Sequence, residues 1–252
     1  MARIVRATAV YGTPAELPSL ASVKQTCGTD ALCAAREIVA ASAGRVRLEA
    51  VAHPESDTIR WAETAPSVTA VHEGPDGRRW IVLDGFGRKA VREVAQAMSQ
   101  AMADGARLGL DLRGNAGGDF GRMLKLASLF TGNVKDALFL IETTGRNPVS
   151  LAAESDFPGT RNLRVLVGPR TASSAEVLAA LLRRYAGARL AGSRTAGKDH
   201  LTRVIAVDHD WRLLVPAERI EVPGVELTGG LRPAETLPDH VPPDRTPPEP
   251  RS

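Results

Sequence analysis

The chain has 252 residues, 43% hydrophobic and 24% charged, with 32 Lys and Arg against 29 Asp and Glu for a net charge of +3. This is the composition of a globular protein, long enough for one large domain or one domain with a smaller appendage. Bases and acids are interspersed, and no basic stripe carries interleaved aromatics, which excludes a nucleic-acid partner. No apolar run approaches the ~18 residues of a membrane span.

The first 75 residues differ in texture from the rest. The opening "MARIVRATAVYGTPAELPS" breaks at Gly12 and Pro14 and lacks the apolar core of a signal peptide. The expectation is a cytoplasmic protein, or an extracytoplasmic one if a leader has been removed. Cys27 and Cys33 read first as two half-buried thiols on a helix. The alternative is a local disulfide, which implies export. A zinc site would need partners at ligand spacing, and the nearest histidine is a lone His53, so no metal is expected. Asp30 to Ala43 is Ala-rich and helical, and Val46 to Val51 and Thr58 to Ala62 are short segments. The "GPDG" of Gly74 to Gly77 predicts a β-hairpin between "SVTAVHE" and "RRWIVLDGF".

From Arg78 the pattern is regular. Strand Trp80 to Leu83 leads to a helix from about Lys89 to Ala103, with Val91, Val94, Ala95, Met98 and Met102 on one face. Strand Arg107 to Leu112 enters the Gly-rich loop "RGNAGGDFG", followed by a second helix to about Phe130. "LRVLVG" is a buried strand, and the helix after Ser173 presents Leu178, Leu181, Leu182 and Tyr185 on one side. Strand "ARLAG" follows, then the loop "SRTAGKDH". Strands Thr202 to Val207 and Trp211 to Val215 meet at the polar "DHD" turn. Strands alternating with helices of 10–15 residues predict an α/β core with parallel pairing. The segment from Pro238, "PDHVPPDRTPPEPRS", is Pro-rich and charged and reads as an extended tail. The expected divisions are residues 1–75, an N-terminal segment, 76–237, the core, and 238–252, the tail.

Three loops follow strands and carry chemistry. In "LDLRGNAGG", Gly114, Gly117 and Gly118 allow a tight turn with exposed N–H groups, suited to an oxyanion or a phosphate, or simply a strand-to-helix turn. The dinucleotide G-x-G-x-x-G register is absent. In "TASSAEV", Ser173 and Glu176 have capping-box spacing, yet a serine at a helix mouth is also where hydrolases place a nucleophile. Ser174 is the competing nucleophile. In "TAGKDH", Lys198 is either a surface charge or a general base, a role that requires apolar surroundings to favour the free amine. Such walls are expected around Ala196. Of the five histidines only His200 lies near, and no Ser-His-Asp triad stands out.

Together these segments resemble the carboxyl-terminal processing, or tail-specific, proteases, serine peptidases with a Ser/Lys dyad. The family's "DLR-N-GG" loop appears as Asp111 to Gly118, and its "S-A-S-A-S-E" segment as Thr171 to Glu176. Its "G-x-x-T-x-GK" segment appears as Gly192 to Lys198, and "G-x-G-I-x-P" is echoed by Thr228 to Pro233. The resemblance covers roughly Arg78 to Pro238. It implies an α/β, Clp-protease/crotonase-like core of repeated β-β-α units, here with a small N-terminal α+β segment. It further implies Ser173 as nucleophile, Lys198 as general base, and an oxyanion hole from the N–H of Ser174 with that of Gly117 or Gly118. The chain departs from the family at Thr202, where members usually carry a Gln that orients the lysine, and at Arg184, where some carry an Asp. Thr202 and Glu176 are therefore candidate supporting residues. The N-terminal residues do not look like a PDZ domain.

The expected function is a serine endopeptidase acting on a peptide or unfolded protein, without cofactor, with homo-oligomerisation left open. The rivals are a catalytically silent peptide-binding or scaffold protein on the same fold, and an acyl-thioester enzyme of the crotonase type.

Overall fold

The structure, a computed structural model, describes residues 19–42, 46–51, 65–142, 145–153 and 162–237. The opening stretch, Thr58 to Ala62 and the Pro-rich tail lie outside them. In chain order the elements are α1 (Leu20–Cys27), α2 (Ala31–Ala41), β1 (Arg47–Ala50), β2 (Val68–Glu73), β3 (Arg78–Leu83), α3 (Ala90–Ala103), β4 (Arg107–Asp111), α4 (Phe120–Thr131), β5 (Val134–Glu142), β6 (Gly145–Leu151), β7 (Arg164–Val167), α5 (Ser174–Tyr185), β8 (Arg189–Gly192), β9 (His200–Ala206), β10 (Trp211–Glu221) and β11 (Glu235–Thr236). They fall into two compact units. The first joins residues 1–62 with 138–149 and 200–221, and the second comprises 63–137, 150–199 and 222–252. The division at 75/76 read from sequence is thus drawn differently here: two strand pairs far along the chain cluster with the N-terminal residues.

In the second unit a six-stranded sheet runs β11-β8-β7-β4-β3-β2, parallel except for the hairpin of β2 with β3. The "GPDG" turn closes that hairpin, with Gly77 N–H donating to Gly74 O. Strands β3, β4 and β7 bury Ile81, Leu83, Leu110, Val165 and Val167. Helix α3 packs against β2, β3 and β4, while α4 packs between α3 and α5. The buried stripe of α3 is Ala90, Val94, Met98 and Ala101. Met102 is 40% exposed, a correction to the expected face. Residues at i, i+4, i+8 and i+11 keep one azimuth on a 3.6-residue helix, and Met102 falls one residue past that line. Helix α5 goes further: every residue from Ser174 to Leu182 is buried. It is encased rather than amphipathic, which is why alanines fill the positions between its leucines.

In the first unit, β10 is the central strand. β1 and then β5 pair along one edge and β9 along the other, all antiparallel, with β6 beyond β5. Ala35 and Ile38 of α2 pack on Leu213 and Val215 of β10. Strand β10 runs through Pro216, beyond the expected end at Val215, because the register with β9 shifts between Pro216 and Glu218. A bulge is where a sheet accommodates a residue with no N–H. The hairpin β5–β6, to which the sequence reading assigns no element, contains Gly145 and Pro148 and is held by long-range pairing to β10.

Cys27 and Cys33 form a disulfide, correcting the expectation of two free thiols. The preceding helix α1 was also not foreseen. Ser19 caps α1 and Asp30 caps α2, and the turn at Gly28 folds one helix back on the other. That brings the two Cα atoms to 5.6 Å, within bonding range.

Trp80 on β3 lies opposite Gly109 on β4, and a Cβ on Gly109 would stand 2.4 Å from the indole. Gly109→Ala is expected to cost about 1–3 kcal/mol by overpacking. The check is the urea midpoint, and an unchanged midpoint contradicts the close stacking.

Candidate active site

The candidate residues in the second unit sit on loops at the C-terminal ends of parallel strands, where open α/β sheets bind ligands. Strand β4 ends at Asp111, a buried carboxylate gripped by the backbone N–H and the guanidinium of Arg113 (2.6–3.1 Å). Asn115, wholly buried, then ties the loop in several directions. Its amide donates to Leu83 O at 3.1 Å, its Oδ1 accepts the N–H of Gly117 at 2.9 Å, and its backbone O accepts the N–H of Ala172 at 3.1 Å. The Gly-rich loop is thereby fastened to the end of β3 and to the segment carrying Ser173.

Gly117 has φ +103°, and a Cβ there would meet Ala172 O at 2.9 Å and Ser173 Cβ at 3.0 Å. Glycine is required for this approach as well as for the dihedral. Of the two candidate oxyanion donors, Gly117 donates its N–H to Asn115 Oδ1, and Gly118 forms an isolated parallel bridge with Phe86. The Gly118 carbonyl accepts the hydroxyl of Ser174 at 2.9 Å.

The two serines are placed very differently. Ser174 is 2% exposed, with its hydroxyl committed to Gly118. Ser173 is half-buried and is the N-cap of α5, with φ +56° and ψ −124°. A non-glycine residue in this region stores about 1–3 kcal/mol of strain, which persists only where the surroundings enforce it. A sharp strand-to-helix turn of this kind lifts a hydroxyl out of the backbone's shadow. Thr171 anchors the turn: buried, it donates through Oγ1 to Leu112 O (2.8 Å) and accepts from Gly168 N (2.9 Å).

Glu176 is the centre of the arrangement. Its carboxylate is 1% exposed and accepts four hydrogen bonds. Oε2 takes the N–H of Ser173 at 2.9 Å and the N–H of Lys198 at 2.8 Å, while Oε1 takes the N–H of Gly197 at 2.7 Å and the hydroxyl of Thr195 at 2.5 Å. The first of these is the Glu half of the expected capping box. The other three bind the lysine loop. Thr195 in turn accepts from Leu231 N at 2.8 Å and donates its own N–H to Leu231 O, joining the "TGGLRP" segment. The two segments touch backbone to backbone: a Cβ on Gly230 would stand 2.3 Å from Thr195 O.

The Lys198 side chain is exposed, and so is Ala196. The expected apolar walls around Ala196 are therefore absent from this loop, because its buried contacts are made by Thr195 and by backbone N–H groups. Thr202 lies exposed on β9, in the first unit, paired in register with Pro216. Arg184 is also exposed and donates to Pro223 O at 3.1 Å. The sequence reading gives Asn115, Thr171 and Thr195 no role. Asn115 and Thr195 carry a signal as the fixed N of "DLR-N-GG" and the fixed T of "G-x-x-T-x-GK", and Thr171 only as a short polar residue after a strand. Among the described residues no group of His, Cys, Asp and Glu has metal-site geometry.

The strand order and the loops of the second unit are those of the Clp-protease/crotonase-like fold. A model of peptidase family S41 matches residues 80–233, and the chain belongs to that family. Over 250 residues it is 26% identical to a carboxyl-terminal-processing protease of Picosynechococcus sp., covering 92% of this chain and 59% of that one. It is 31% identical over 138 residues to the carboxy-terminal processing protease CtpA of Bacillus subtilis, covering 54% and 29%. Among solved structures, the photosystem II D1 C-terminal processing protease superposes with a TM-score of 0.58 at 24% identity, covering 78% and 49%. A lipoprotein from Streptococcus agalactiae gives 0.63 at 14%, covering 85% and 81%. The chain spans about three fifths of the length of the Picosynechococcus protein.

Glu176→Gln turns a four-fold acceptor into an amide that can no longer match every donor. It is expected to lower unfolding stability by about 2–4 kcal/mol. Chemical denaturation measures this, and a loss below about 0.5 kcal/mol contradicts the clamp.

Proposed function

We propose that this chain is a serine endopeptidase in which Ser173 forms an acyl-enzyme with its peptide substrate and Lys198 is the general base. The observation that carries this reading is the shared oxygen of Glu176. Because Oε2 accepts from the N–H groups of both Ser173 and Lys198, the two backbones are held side by side, within the span of a lysine side chain.

In the proposed reaction the Lys198 amine removes the Ser173 hydroxyl proton as Oγ attacks the peptide carbonyl. The oxyanion that develops is met by the N–H of Ser174, at the start of α5, and by that of Gly118. On collapse the C–N bond breaks and the lysine ammonium returns its proton to the departing amine, leaving an ester on Ser173. Water, deprotonated by the same amine, attacks the ester, and the carboxylic acid product leaves as Ser173 regains its proton. A peptide laid along a sheet edge by strand addition is the form of substrate that suits a backbone-lined site.

Ser173→Ala and Lys198→Ala are each expected to reduce hydrolysis of an unstructured peptide by at least about 10³-fold. Ser174→Ala should retain cleavage, its cost falling mainly on stability through the lost bond to Gly118. Cleavage surviving in either of the first two variants overturns the mechanism. The exposed lysine and the Thr at position 202 favour, as second reading, a peptide-binding protein without turnover. Binding of the same peptide by the wild type with no cleavage is the outcome that selects it.

A further inference from the structure

We infer that the loops around Ser173 form a carboxylate-binding rim, which selects peptides carrying acidic side chains close to the scissile bond. The inference rests on the serine-peptidase reading and names its substrate class. Three loops are tied together at this point: the turn of residues 168–173, the lysine loop 193–199 and the segment 226–233. Ala196 N–H donates to Thr171 O, joining the first to the second, and the paired bonds of Thr195 with Leu231 join the second to the third.

Each loop carries an exposed arginine: Arg170, three residues before Ser173, then Arg194 and Arg232. Arg194 reaches across to the third loop, its Nη2 standing 3.0 Å from the position a Cβ would take on Gly229. Among the described residues none of the three has an ion-pair or hydrogen-bond partner for its guanidinium. Other surface arginines are engaged, as Arg79 is with Asp104, Arg146 with Glu221 and Arg203 with Glu218. Apart from Lys198, which the proposed mechanism uses as a free amine, the three loops hold these three arginines against two acids, Asp199 and Glu226. Both acids are occupied by Thr228, whose hydroxyl donates to Asp199 and whose N–H donates to Glu226. Guanidinium groups fit carboxylates bidentately. Clustered beside a reaction site they also raise the encounter rate of anionic ligands, an effect that salt screens within about 10 Å at 0.1 M.

The test compares three peptides that share one cleavable sequence. The first has Glu and Asp flanking the bond and an amidated end, the second has Gln and Asn with an amidated end, and the third has Gln and Asn with a free C-terminus. For wild type in about 20 mM salt, kcat/KM should favour the first over the second by roughly tenfold or more. A preference for the third alone overturns the rim as a reader of acidic side chains. The preference for the first should collapse in about 0.5 M salt and in the variant Arg170→Gln/Arg194→Gln/Arg232→Gln. The circular dichroism of that variant, expected to match wild type, reports that it is folded. The single changes, each expected to remove part of the preference, serve if the triple variant melts early. Equal rates for all three peptides, or a preference that survives loss of the arginines, overturns the rim. Binding of labelled peptides to Ser173→Ala, followed by anisotropy, separates the two readings. Arginine-dependent selection of the acidic peptide with no cleavage by wild type upholds the rim and overturns the peptidase instead.

Discussion

The buried carboxylate of Glu176 is the constraint from which the rest of the site follows. An ionised group removed from water is tolerable only when several donors replace its hydration, and isolated it would cost far more than the few kcal/mol by which a domain is stable. The chain supplies those donors from two loops far apart in sequence, one with Ser173 and one with Thr195, Gly197 and Lys198. Satisfying the charge and bringing the serine segment to the lysine segment are therefore one event. The glycines of both loops follow from it. The backbone at Gly197 must come close enough for its N–H to reach Oε1, and a Cβ there would strike the backbone of Gly229 at 2.8 Å.

On the opposite side Asn115 plays the complementary part with neutral groups. It holds the Gly-rich loop against Leu83 and Ala172, so the carbonyl of Gly118 is in place to receive the Ser174 hydroxyl. Ser173 stands between these two anchors in a backbone conformation that few L-residues adopt. Its strain is carried by the cooperative burial of α5 and by Thr171 beneath the turn.

The alternating strands and helices of the second unit were legible because each strand is a short apolar run ended by glycine or a polar turn. The Gly-rich loop, Ser173 and Lys198 were legible because their order and spacing match a known motif. The function of Glu176 was half legible. Its spacing from Ser173 announces a helix start, but nothing local in the sequence indicates that three of its four donors arrive from residues 195–198. The same holds for the hairpin β5–β6, whose pairing partner lies some eighty residues downstream, and for β10, where Pro216 reads as an end but sits at a bulge. The exposure of Lys198 is one of the two readings its loop allowed. The apolar walls do not follow from the sequence, because Ala196, an apolar neighbour along the chain, faces outward.

Helix α5, enclosed on every side over its first nine residues, has a consequence for how the molecule moves in time. Its amides belong to the region that opens to solvent only when the whole unit unfolds, so hydrogen exchange there tracks global stability. The carboxylate of Glu176 moves with that slow body, while the lysine side chain extends from an exposed loop and samples rotamers within nanoseconds. The serine half of the site is thus fixed on the timescale of unfolding, and the lysine half adjusts within every encounter with a ligand.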